Sequence, residues 1–472
     1  MLSHRVQESL HWLDESSPAQ PPYPEDVVQM SSAENWLVRP HVLPIIKEAI
    51  SADFAAEDLC YENHPGGDPA LLRAAAAMLN RFFAPRTPVE PAHMVAGAGV
   101  AALLDGLLFA LADAGDGFLV DSPLWPGFGL AGHLRNGNRL VPVAPPPSAY
   151  ASREQAARHY AKAMEAAPCR IRGVVVCSPR NPHGHVYPRF WLEGILQFCE
   201  AWDVSYISDE IYALSTFGPL PPSPGTPPAE ETETERQPVF ESPETTFTSV
   251  LALDLARLGV DPARVHCIYG LSKDLGSSGL RLGFLTTQQN PALRHALWIL
   301  TRLRVSAASS LMARALLSDL GRLEAVLASG RTALRTAAAH ICDFLARHGD
   351  SVAFYRPVAG CFVWARLGGP RATAASDAAL HRRLAAAGVA LAPGALFGEA
   401  EHGWFRITFA LPPEELHEGL RRIESVIGGG EKGVRPGGEQ GVRGEESLRL
   451  RAGKKGLSRI GLALRWITGW WS

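Results

Sequence analysis

The sequence predicts an α/β protein built on a largely parallel sheet. Between residues 71 and 272, short apolar segments alternate with helical ones, which is the pattern of a parallel sheet covered by helices. Several apolar segments end in small or polar residues, as in Ser178-Pro179, Ser208-Asp209 and Leu271-Ser272-Lys273. Because ligands of such sheets bind at the carboxyl ends of the strands, a functional site is expected there.

Length and composition are those of an ordinary globular protein. The 472 residues include 45 Lys and Arg against 48 Asp and Glu, a formal net charge of -3, so no nucleic-acid surface is expected. No stretch reaches the roughly 18 apolar residues of a membrane span, and the N-terminus is too polar for a signal peptide. We expect a cytoplasmic protein of roughly two to four domains, or of one large domain with a smaller partner.

The seven cysteines are scattered along the chain and form no C-x-x-C pair. An odd, dispersed set of this kind predicts reduced, mostly buried thiols, and neither a disulfide framework nor a zinc site. No metal is expected.

The elements are predicted in order along the chain. Residues 1–45 form an N-terminal arm, and residues 46–310 form a large domain. Within that domain, apolar periodicity predicts helices at 71–84, 100–115 and 190–202, and strands at 93–99, 118–123, 173–179, 204–210 and 265–272.

Residues 311–427 predict a smaller α+β domain, to which the N-terminal arm belongs. Its long helices are expected within 318–348, and its strands near 360–367, 388–391 and 405–409.

Two segments read as additions to these domains. Residues 219–245 are rich in Pro and Glu and predict a disordered surface insertion. Residues 428–472 read as a linker followed by an amphipathic tail. The tail is interpreted as a docked helix or a loosely ordered end, and a weak membrane-surface anchor is the less favoured alternative.

The strongest local signal for chemistry is Lys273, which follows an apolar strand and lies in a loop of small residues. A lysine desolvated in such a loop has a lowered pKa, and its free amine can attack a carbonyl. Taken alone, a surface lysine at a turn would be the simpler interpretation. Asn181, Asp209 and Tyr212 follow preceding strands, Arg281 follows Lys273, and each alone could be a turn or capping residue. Their order at successive strand ends favours a shared site.

Four motifs extend this set into a family resemblance, namely Ala33-Glu34-Asn35, Pro126-Gly127-Phe128, the run from Leu271 to Gly276, and Gly403-Trp404-Phe405-Arg406. With them, the chain resembles the pyridoxal-phosphate enzymes of fold type I. Within the class I/II aminotransferase group it is most similar to the 1-aminocyclopropane-1-carboxylate synthase-like branch, of the fungal type. The resemblance covers about residues 30–427 apart from the insertion. It implies a mostly parallel seven-stranded sheet, a smaller α+β domain, and a homodimer with the cofactor between the domains.

The resemblance implies a role for each residue around the cofactor ring. Lys273 would bond the cofactor aldehyde and then carry the proton at the substrate Cα. Asp209 would pair with the pyridine nitrogen and keep it protonated. Asn181 and Tyr212 would hydrogen-bond the ring oxygen, with Tyr212 counted among the catalytic residues, and Trp125 would stack on the ring.

The phosphate end of the site departs from the family pattern. Arg281 would clamp the phosphate, and Gly99, Val100 and Ala101 would offer the N-terminus of a helix. The hydroxyl often found near Ala101 is absent, and glycine replaces the serine usual three residues before the lysine, at Gly270. The candidate substitutes for these hydroxyls are Ser272, Ser277 and Ser278.

At the substrate end of the site, the resemblance implies that Arg406 would bind the α-carboxylate through a bidentate pair of hydrogen bonds. Glu34 and Asn181 would also lie near the substrate, with Glu34 as a candidate catalytic residue. Tyr61 would reach the phosphate of the partner subunit's cofactor. His64 is a rival for that role, because the local Tyr-Glu-Asn-His-Pro-Gly-Gly string is longer than the plant pattern.

The reaction is left open by these residues. The motifs support an aminotransferase or a lyase acting at Cα of an amino acid, and fungal relatives of this kind occur in specialised metabolism. The alternatives are a carbon–sulfur lyase on cysteine conjugates, a true 1-aminocyclopropane-1-carboxylate synthase acting on S-adenosylmethionine, and a non-catalytic scaffold. Intact Lys273 and Asp209 argue against the scaffold, because a binding module needs neither.

Overall fold

A computed structural model describes residues 2–16, 21–62, 64–145, 150–221 and 238–428. The strands within these residues are β1 (Val28–Gln29), β2 (Met94–Gly97), β3 (Gly117–Asp121), β4 (Arg139–Val143), β5 (Ile171–Cys177), β6 (Ser205–Asp209), β7 (Val239–Phe240), β8 (Val265–Gly270), β9 (Gly283–Thr286), β10 (Ala353–Tyr355), β11 (Phe362–Arg366), β12 (Val389–Ala390), β13 (Ala392–Pro393) and β14 (Trp404–Thr408).

The α-helices of the same residues are α1 (His4–Ser16), α2 (Arg39–Asp53), α3 (Pro69–Phe82), α4 (Val100–Leu111), α5 (Gly127–Gly129), α6 (Arg153–Glu165), α7 (Arg189–Ala201), α8 (Leu255–Leu258), α9 (Pro291–Thr301), α10 (Ala307–Ser318), α11 (Leu320–Arg347), α12 (Ala374–Ala386) and α13 (Pro413–Ile427). The predicted helices and strands recur here with boundaries shifted by a few residues.

A seven-stranded sheet in the order β2-β9-β8-β6-β5-β3-β4 forms the centre of the chain. Its strands pair in parallel from β4 across to β8, and β9 runs antiparallel to both of its neighbours. The residues of β3 and β8 are buried throughout, as expected for strands covered by helices on both faces. The predicted α/β class and its mostly parallel sheet are therefore confirmed.

The strand ends of this sheet bring distant residues to one edge. In the ladder, Cys177 of β5 lies opposite Asp209 of β6, and Asp209 lies opposite Ile268 of β8. Asn181 and Lys273 follow β5 and β8 within a few residues. They therefore emerge at the same edge as Asp209.

A second sheet of five strands, in the order β13-β14-β11-β10-β7, lies later in the chain. The N-terminal residues join this region, because β1 pairs in parallel with β12 and the Trp36 N–H donates to the Ala410 carbonyl at 2.9 Å. These contacts carry the chain from the second sheet to α2. The segment between, residues 30–38, reaches the strand-end edge of the first sheet.

The described C-terminal flank of the predicted insertion, residues 238–245, is more ordered than its composition suggests. Val239 and Phe240 form β7 and pair in parallel with β10, and the Phe240 ring stacks on Tyr355 with centroids 4.5 Å apart. The prediction of disorder is therefore wrong for this flank, because strand pairing uses backbone groups that composition does not report. Strand β7 also joins the second sheet, although it lies within the range predicted for the large domain. Residues 222–237 of the insertion, and residues 429–472 of the tail, lie outside the described residues.

Three further structural findings concern predicted features. All seven cysteines lie in the described ranges and are free thiols. The placed part of the chain contains no group of three or more metal-ligating side chains. No helix among the described residues has both the length and the apolarity needed to cross a bilayer.

Candidate active site

An open pocket of about 790 Å³ lies where the strand-end edge of the seven-stranded sheet meets the N-terminal segment 31–33. Most of the predicted site residues line it, namely Val100, Ala101, Trp125, Asn181, Asp209, Tyr212, Ser272, Lys273, Arg281 and Arg406. The structure thus brings together residues separated by as many as 300 positions.

Lys273 extends from the turn after β8 into this pocket. Its Nζ donates to the Ala33 carbonyl oxygen at 2.6 Å. Burial lowers the pKa of Lys273 to about 8, and the positive charge of Arg406 acts in the same direction. A substantial fraction of this amine is therefore neutral near physiological pH, which is the form that attacks a carbonyl.

Asp209 ends β6 and is almost completely buried. Its carboxylate accepts a long hydrogen bond of 3.3 Å from the Ile211 N–H. Burial raises the pKa of Asp209 to about 7. A buried carboxylate held by one weak donor can take a cationic nitrogen as its partner, and that partner would keep it ionised.

Arg406 lies on β14 and forms the wall of the pocket that faces the second sheet. Its Nη1 donates to Oδ1 of Asn181 at 3.0 Å, and its Nη2 donates to the Ser31 carbonyl at 2.6 Å. The guanidinium carbon lies 5.2 Å and 5.0 Å from the ring centroids of Phe362 and Phe397. Within the described residues the buried Nε–H has no hydrogen-bond partner.

The far end of the pocket combines a helix N-terminus with an arginine. Gly99, the residue that precedes α4, has a φ of 86°, and a Cβ at this position would lie 2.6 Å from Nη2 of Arg281. Glycine is therefore required both by the left-handed backbone and by the close approach of the guanidinium. Arg281 also donates from Nη1 to the Ser278 carbonyl at 2.9 Å. The N–H groups of the first turn of α4, which lack partners within the helix, and the guanidinium are donors suited to an anion.

Gly270 is explained by its neighbours. A Cβ at Gly270 would lie 2.9 Å from Cγ2 of Val100 and 3.1 Å from Cδ1 of Ile211. The space that a serine side chain would need is thus filled by two apolar side chains.

The three candidate substitutes for the missing hydroxyls differ in their contacts. Ser277 donates to the Leu275 carbonyl at 2.8 Å, and Ser278 donates to Glu34 at 2.7 Å. Ser272 lines the pocket. Of the three, it is the side chain placed to supply a hydroxyl there.

Comparisons with known proteins agree with this geometry. The sequence profile of aminotransferase class I and II matches residues 26–423. The chain belongs to the class I and II aminotransferase family. Among its relatives are a probable aminotransferase, gliI, of Aspergillus fumigatus, 41% identical over 91% of this chain and 96% of that protein, and the aminotransferase verI of Clonostachys rogersoniana, 36% identical over 91% and 94%.

More distant relatives of this aminotransferase are also informative. A 1-aminocyclopropane-1-carboxylate synthase of Oryza sativa subsp. japonica is 33% identical over 86% of this chain and 88% of its own. A solved Thermus thermophilus aspartate aminotransferase has a TM-score of 0.68 at 23% identity, covering 90% of this chain and 99% of the other. The predicted family is therefore confirmed, and so is the fold type I architecture.

Aminotransferases of this family use pyridoxal 5'-phosphate, and the residues of the pocket fit that group. The weakly paired, buried Asp209 suits the pyridine nitrogen, and the buried amine of Lys273 suits the aldehyde. The helix start at Gly99 and the adjacent Arg281 suit the phosphate. These three places lie around one pocket, which is the arrangement that the cofactor requires.

Three predicted site residues do not line this pocket, namely Gly99, which lies beside its far end at Arg281, and Glu34 and Tyr61. The carboxylate of Glu34 accepts from Oγ of Ser278 at 2.7 Å and pairs with Arg39 at 2.6 Å. Although burial opposes the shift, these hydrogen bonds lower the pKa of Glu34. Tyr61 is 83% exposed, and the rival His64 is also exposed and contacts Glu62 at 2.6 Å. The roles of Glu34 and Tyr61 stay predictions.

Other pocket residues were missed by sequence reasoning. Ser31, Ser32 and Ala33 line the pocket from the N-terminal segment. Ala33 belongs to the Ala33-Glu34-Asn35 motif, but that motif did not signal that the backbone here would face Lys273 and Arg406. Cys177 also lines it. Its position at the end of β5, one strand from Asp209, was the signal that could have identified it.

Proposed function

We propose that this chain binds an α-amino acid at Arg406 and exchanges a proton at its Cα through Lys273, with transamination as the favoured overall reaction. The observation that carries the proposal is the convergence of Lys273, Asp209 and Arg406 on one pocket. The names of the relatives, both described as aminotransferases, support transamination over elimination. The proposal includes a cytoplasmic location and a role in specialised metabolism.

Substrate binding would begin with the carboxylate at Arg406. The planar guanidinium of Arg406 offers a fork of N–H donors that matches two carboxylate oxygens. Asn181 holds the guanidinium in place through its 3.0 Å contact with Nη1. The rings of Phe362 and Phe397 exclude water from one side of the arginine, which strengthens its attraction for an anion.

Proton movement would then depend on Lys273, whose pKa of about 8 suits a group that takes and returns a proton near neutral pH. When bound, pyridoxal phosphate supplies an electron sink for the bonds at Cα. Asp209 maintains the charge on the ring nitrogen. Burial raises the pKa of Tyr212, so its hydroxyl remains protonated and can donate to the ring oxygen.

A second candidate is synthesis of 1-aminocyclopropane-1-carboxylate from S-adenosylmethionine. It is favoured by the 33% identity to the rice enzyme over 86% of this chain. The same three side chains would bind that substrate and move the Cα proton. The two reactions differ in their products, so product analysis separates them.

We also propose a homodimer in which Tyr61 reaches the partner subunit's cofactor. Tyr61 lies in an exposed apolar region, in which Leu59 is 77% and Phe54 is 42% exposed. A surface of this kind favours burial against another protein. Mixing Lys273→Ala protein with Tyr61→Phe protein tests the sharing. If the sites are shared, the mixed dimer keeps one intact site and recovers activity. If they are not shared, each mixed dimer has one inactive Lys273→Ala site and one Tyr61→Phe site, so its activity is half that of the Tyr61→Phe dimer.

The reaction is tested by absorbance and product analysis of the purified protein with pyridoxal 5'-phosphate. A visible band that is lost in Lys273→Ala establishes the cofactor site. Alanine, glutamate, a cysteine S-conjugate and S-adenosylmethionine are then added in turn. A keto acid with conversion of the cofactor to its amine form supports transamination. Release of ammonia with a thiol, or formation of the cyclopropane amino acid, would replace it with an elimination.

A further inference from the structure

Asp274 directly follows Lys273 but points away from the pocket into the protein interior. It is almost completely buried. Its Oδ2 accepts from the Leu214 N–H at 2.8 Å, and its Oδ1 accepts from the Ser215 hydroxyl. The Tyr269 hydroxyl provides a further hydrogen bond. One carboxylate, carried by the turn after β8, thus gathers donors from the turn that contains Leu214 and Ser215 and from Tyr269 of β8.

The turn that contains Leu214 and Ser215 and the turn that contains Asp274 also carry the groups that would act on the cofactor. Leu214 and Ser215 belong to the short 3-10 helix Ala213–Ser215 that begins directly after Tyr212. The strands that lead into the turns, β6 and β8, are paired only as far as Asp209 and Ile268. Beyond the last ladder contact, the side chain of Asp274 connects the Tyr212 turn to the Lys273 turn.

The same 3-10 helix also contacts the second sheet. The Ser215 carbonyl accepts from the Gly360 N–H at 3.2 Å, and Thr216 forms a bridge with Ala359. The ring of Tyr212 packs edge-on against Phe362, with centroids 5.3 Å apart. The position of Tyr212 is therefore set from two sides, by Asp274 and by the start of β11.

We propose that Asp274 is a positioning residue that sets the distance between the Tyr212 hydroxyl and the Lys273 amine. It contacts neither reacting group and acts by joining their turns. The proposal rests on the proposed function, because it presumes that both groups act on one cofactor. Displacement of a catalytic group by about 1 Å can lower a rate by about 100-fold, so a single buried carboxylate in this position can govern the rate.

The test compares Asp274→Ala and Ser215→Ala with the matched control Ser249→Ala. Ser249 is also a buried serine that donates to a buried carboxylate, that of Glu210, at 2.6 Å, but its hydrogen bonds do not reach the 3-10 helix Ala213–Ser215 or the turn that carries Lys273. Thermal unfolding, kcat, KM and the pH dependence of the bound cofactor's absorbance are measured for each variant. Hydrogen exchange of residues 213–216 is followed in the cofactor-free protein.

The proposal expects Ser215→Ala and Asp274→Ala to shift the pH midpoint of the absorbance change. They should also lower kcat by about 10- to 100-fold with little change in KM, and speed exchange at Leu214. Ser249→Ala should lower only the unfolding temperature. If the first two variants likewise change only the unfolding temperature, Asp274 has a structural role alone and the proposal is overturned.

Two safeguards keep the outcome decisive. If Asp274→Ala does not fold, Ser215→Ala removes one of the same hydrogen bonds and decides the question. If the wild-type chain shows no cofactor band, the proposed function fails. The exchange rate at Leu214 then still reports whether Asp274 holds the Tyr212 turn, and an unchanged rate contradicts the proposal independently.

Discussion

The two sides of the pocket are held by different kinds of contact. On the large-sheet side, Asp209 and Lys273 follow adjacent paired strands, and Asp274 joins their turns by contacts that do not involve the pocket. On the N-terminal side, the Ala33 carbonyl is held by Lys273 at 2.6 Å, and the Ser31 carbonyl by Arg406 at 2.6 Å.

The two sides therefore differ in how many of their hydrogen bonds a ligand would replace. Cofactor and substrate would use the same Lys273 and Arg406 donors that now hold the N-terminal segment. The Thr408 contacts to the Ser32 and Met30 carbonyls, both at 2.8 Å, do not involve those donors. We therefore expect the large-sheet side to be preformed, and the N-terminal side to exchange part of its hydrogen bonds for those of the ligands.

The largest effect is expected from Lys273→Ala on the large-sheet side. Loss of a positioned acid–base group lowers rates by about 10²- to 10⁴-fold, and this variant also loses covalent attachment of the cofactor. The visible absorbance band and the turnover rate measure both losses. Lys47→Ala, at an exposed position on α2, is the matched control and should retain the band. Retention of the band in Lys273→Ala would exclude this lysine as the attachment site.

Arg406→Lys tests the side of the pocket where substrate replaces protein contacts. A lysine cannot reproduce the fork, so one charge-assisted hydrogen bond of about 1.5–3 kcal/mol is lost. We expect KM for the amino acid to rise by about 10- to 100-fold, with cofactor affinity unchanged. Steady-state kinetics and a cofactor titration separate the two quantities. A fall in cofactor affinity equal to the rise in KM would mean that Arg406 serves the whole pocket.

Asp209→Asn changes the pH dependence of stability in the cofactor-free protein. The folded pKa of Asp209 is about 7 and lies above its unfolded value of about 3.9. Its stabilising contribution is therefore complete below about pH 4 and is lost as the pH rises through 7. Asparagine resembles the protonated form at every pH. The variant should exceed wild type in unfolding free energy at pH 8 by on the order of 1–4 kcal/mol, and match it near pH 4.

Denaturant unfolding at both pH values checks this expectation. Glu210 and Asp274 have pKa values raised to about 7 by the same cause, burial, so the stability of wild type and variant should both fall with pH. The test is therefore the difference between the two proteins. An equal difference at pH 4 and pH 8 would show that Asp209 is not protonated in the folded, cofactor-free chain.

Sequence reasoning predicted the large-sheet side well and the N-terminal side poorly, for a physical reason. Asn181, Asp209 and Lys273 each follow a strand, and a parallel sheet necessarily gathers such residues at one edge. The contacts of Ala33 and Ser31 join residues 240 and 375 positions apart. No local pattern reports distances of that kind. The contact of Glu34 with Ser278, 244 positions away, was missed for the same reason.

The smallest effect on cofactor binding is expected at the phosphate end. There, two variants that each add one hydroxyl, Ala101→Ser and Gly270→Ser, can be compared directly. Ala101→Ser places a hydroxyl on a pocket-lining residue in the first turn of α4. It should strengthen pyridoxal phosphate binding by about one charge-assisted hydrogen bond, roughly 10-fold or more in Kd.

Gly270→Ser adds the same group at a position where the new Cβ would lie 2.9 Å from Cγ2 of Val100. Overpacking of this kind destabilises a protein by about 1–3 kcal/mol, so the variant should lose stability and gain no affinity. Cofactor titration and thermal unfolding measure the two changes. Tighter binding in Gly270→Ser would show that the Val100 and Ile211 side chains can move aside. Packing would then not explain why the phosphate end lacks a serine at position 270.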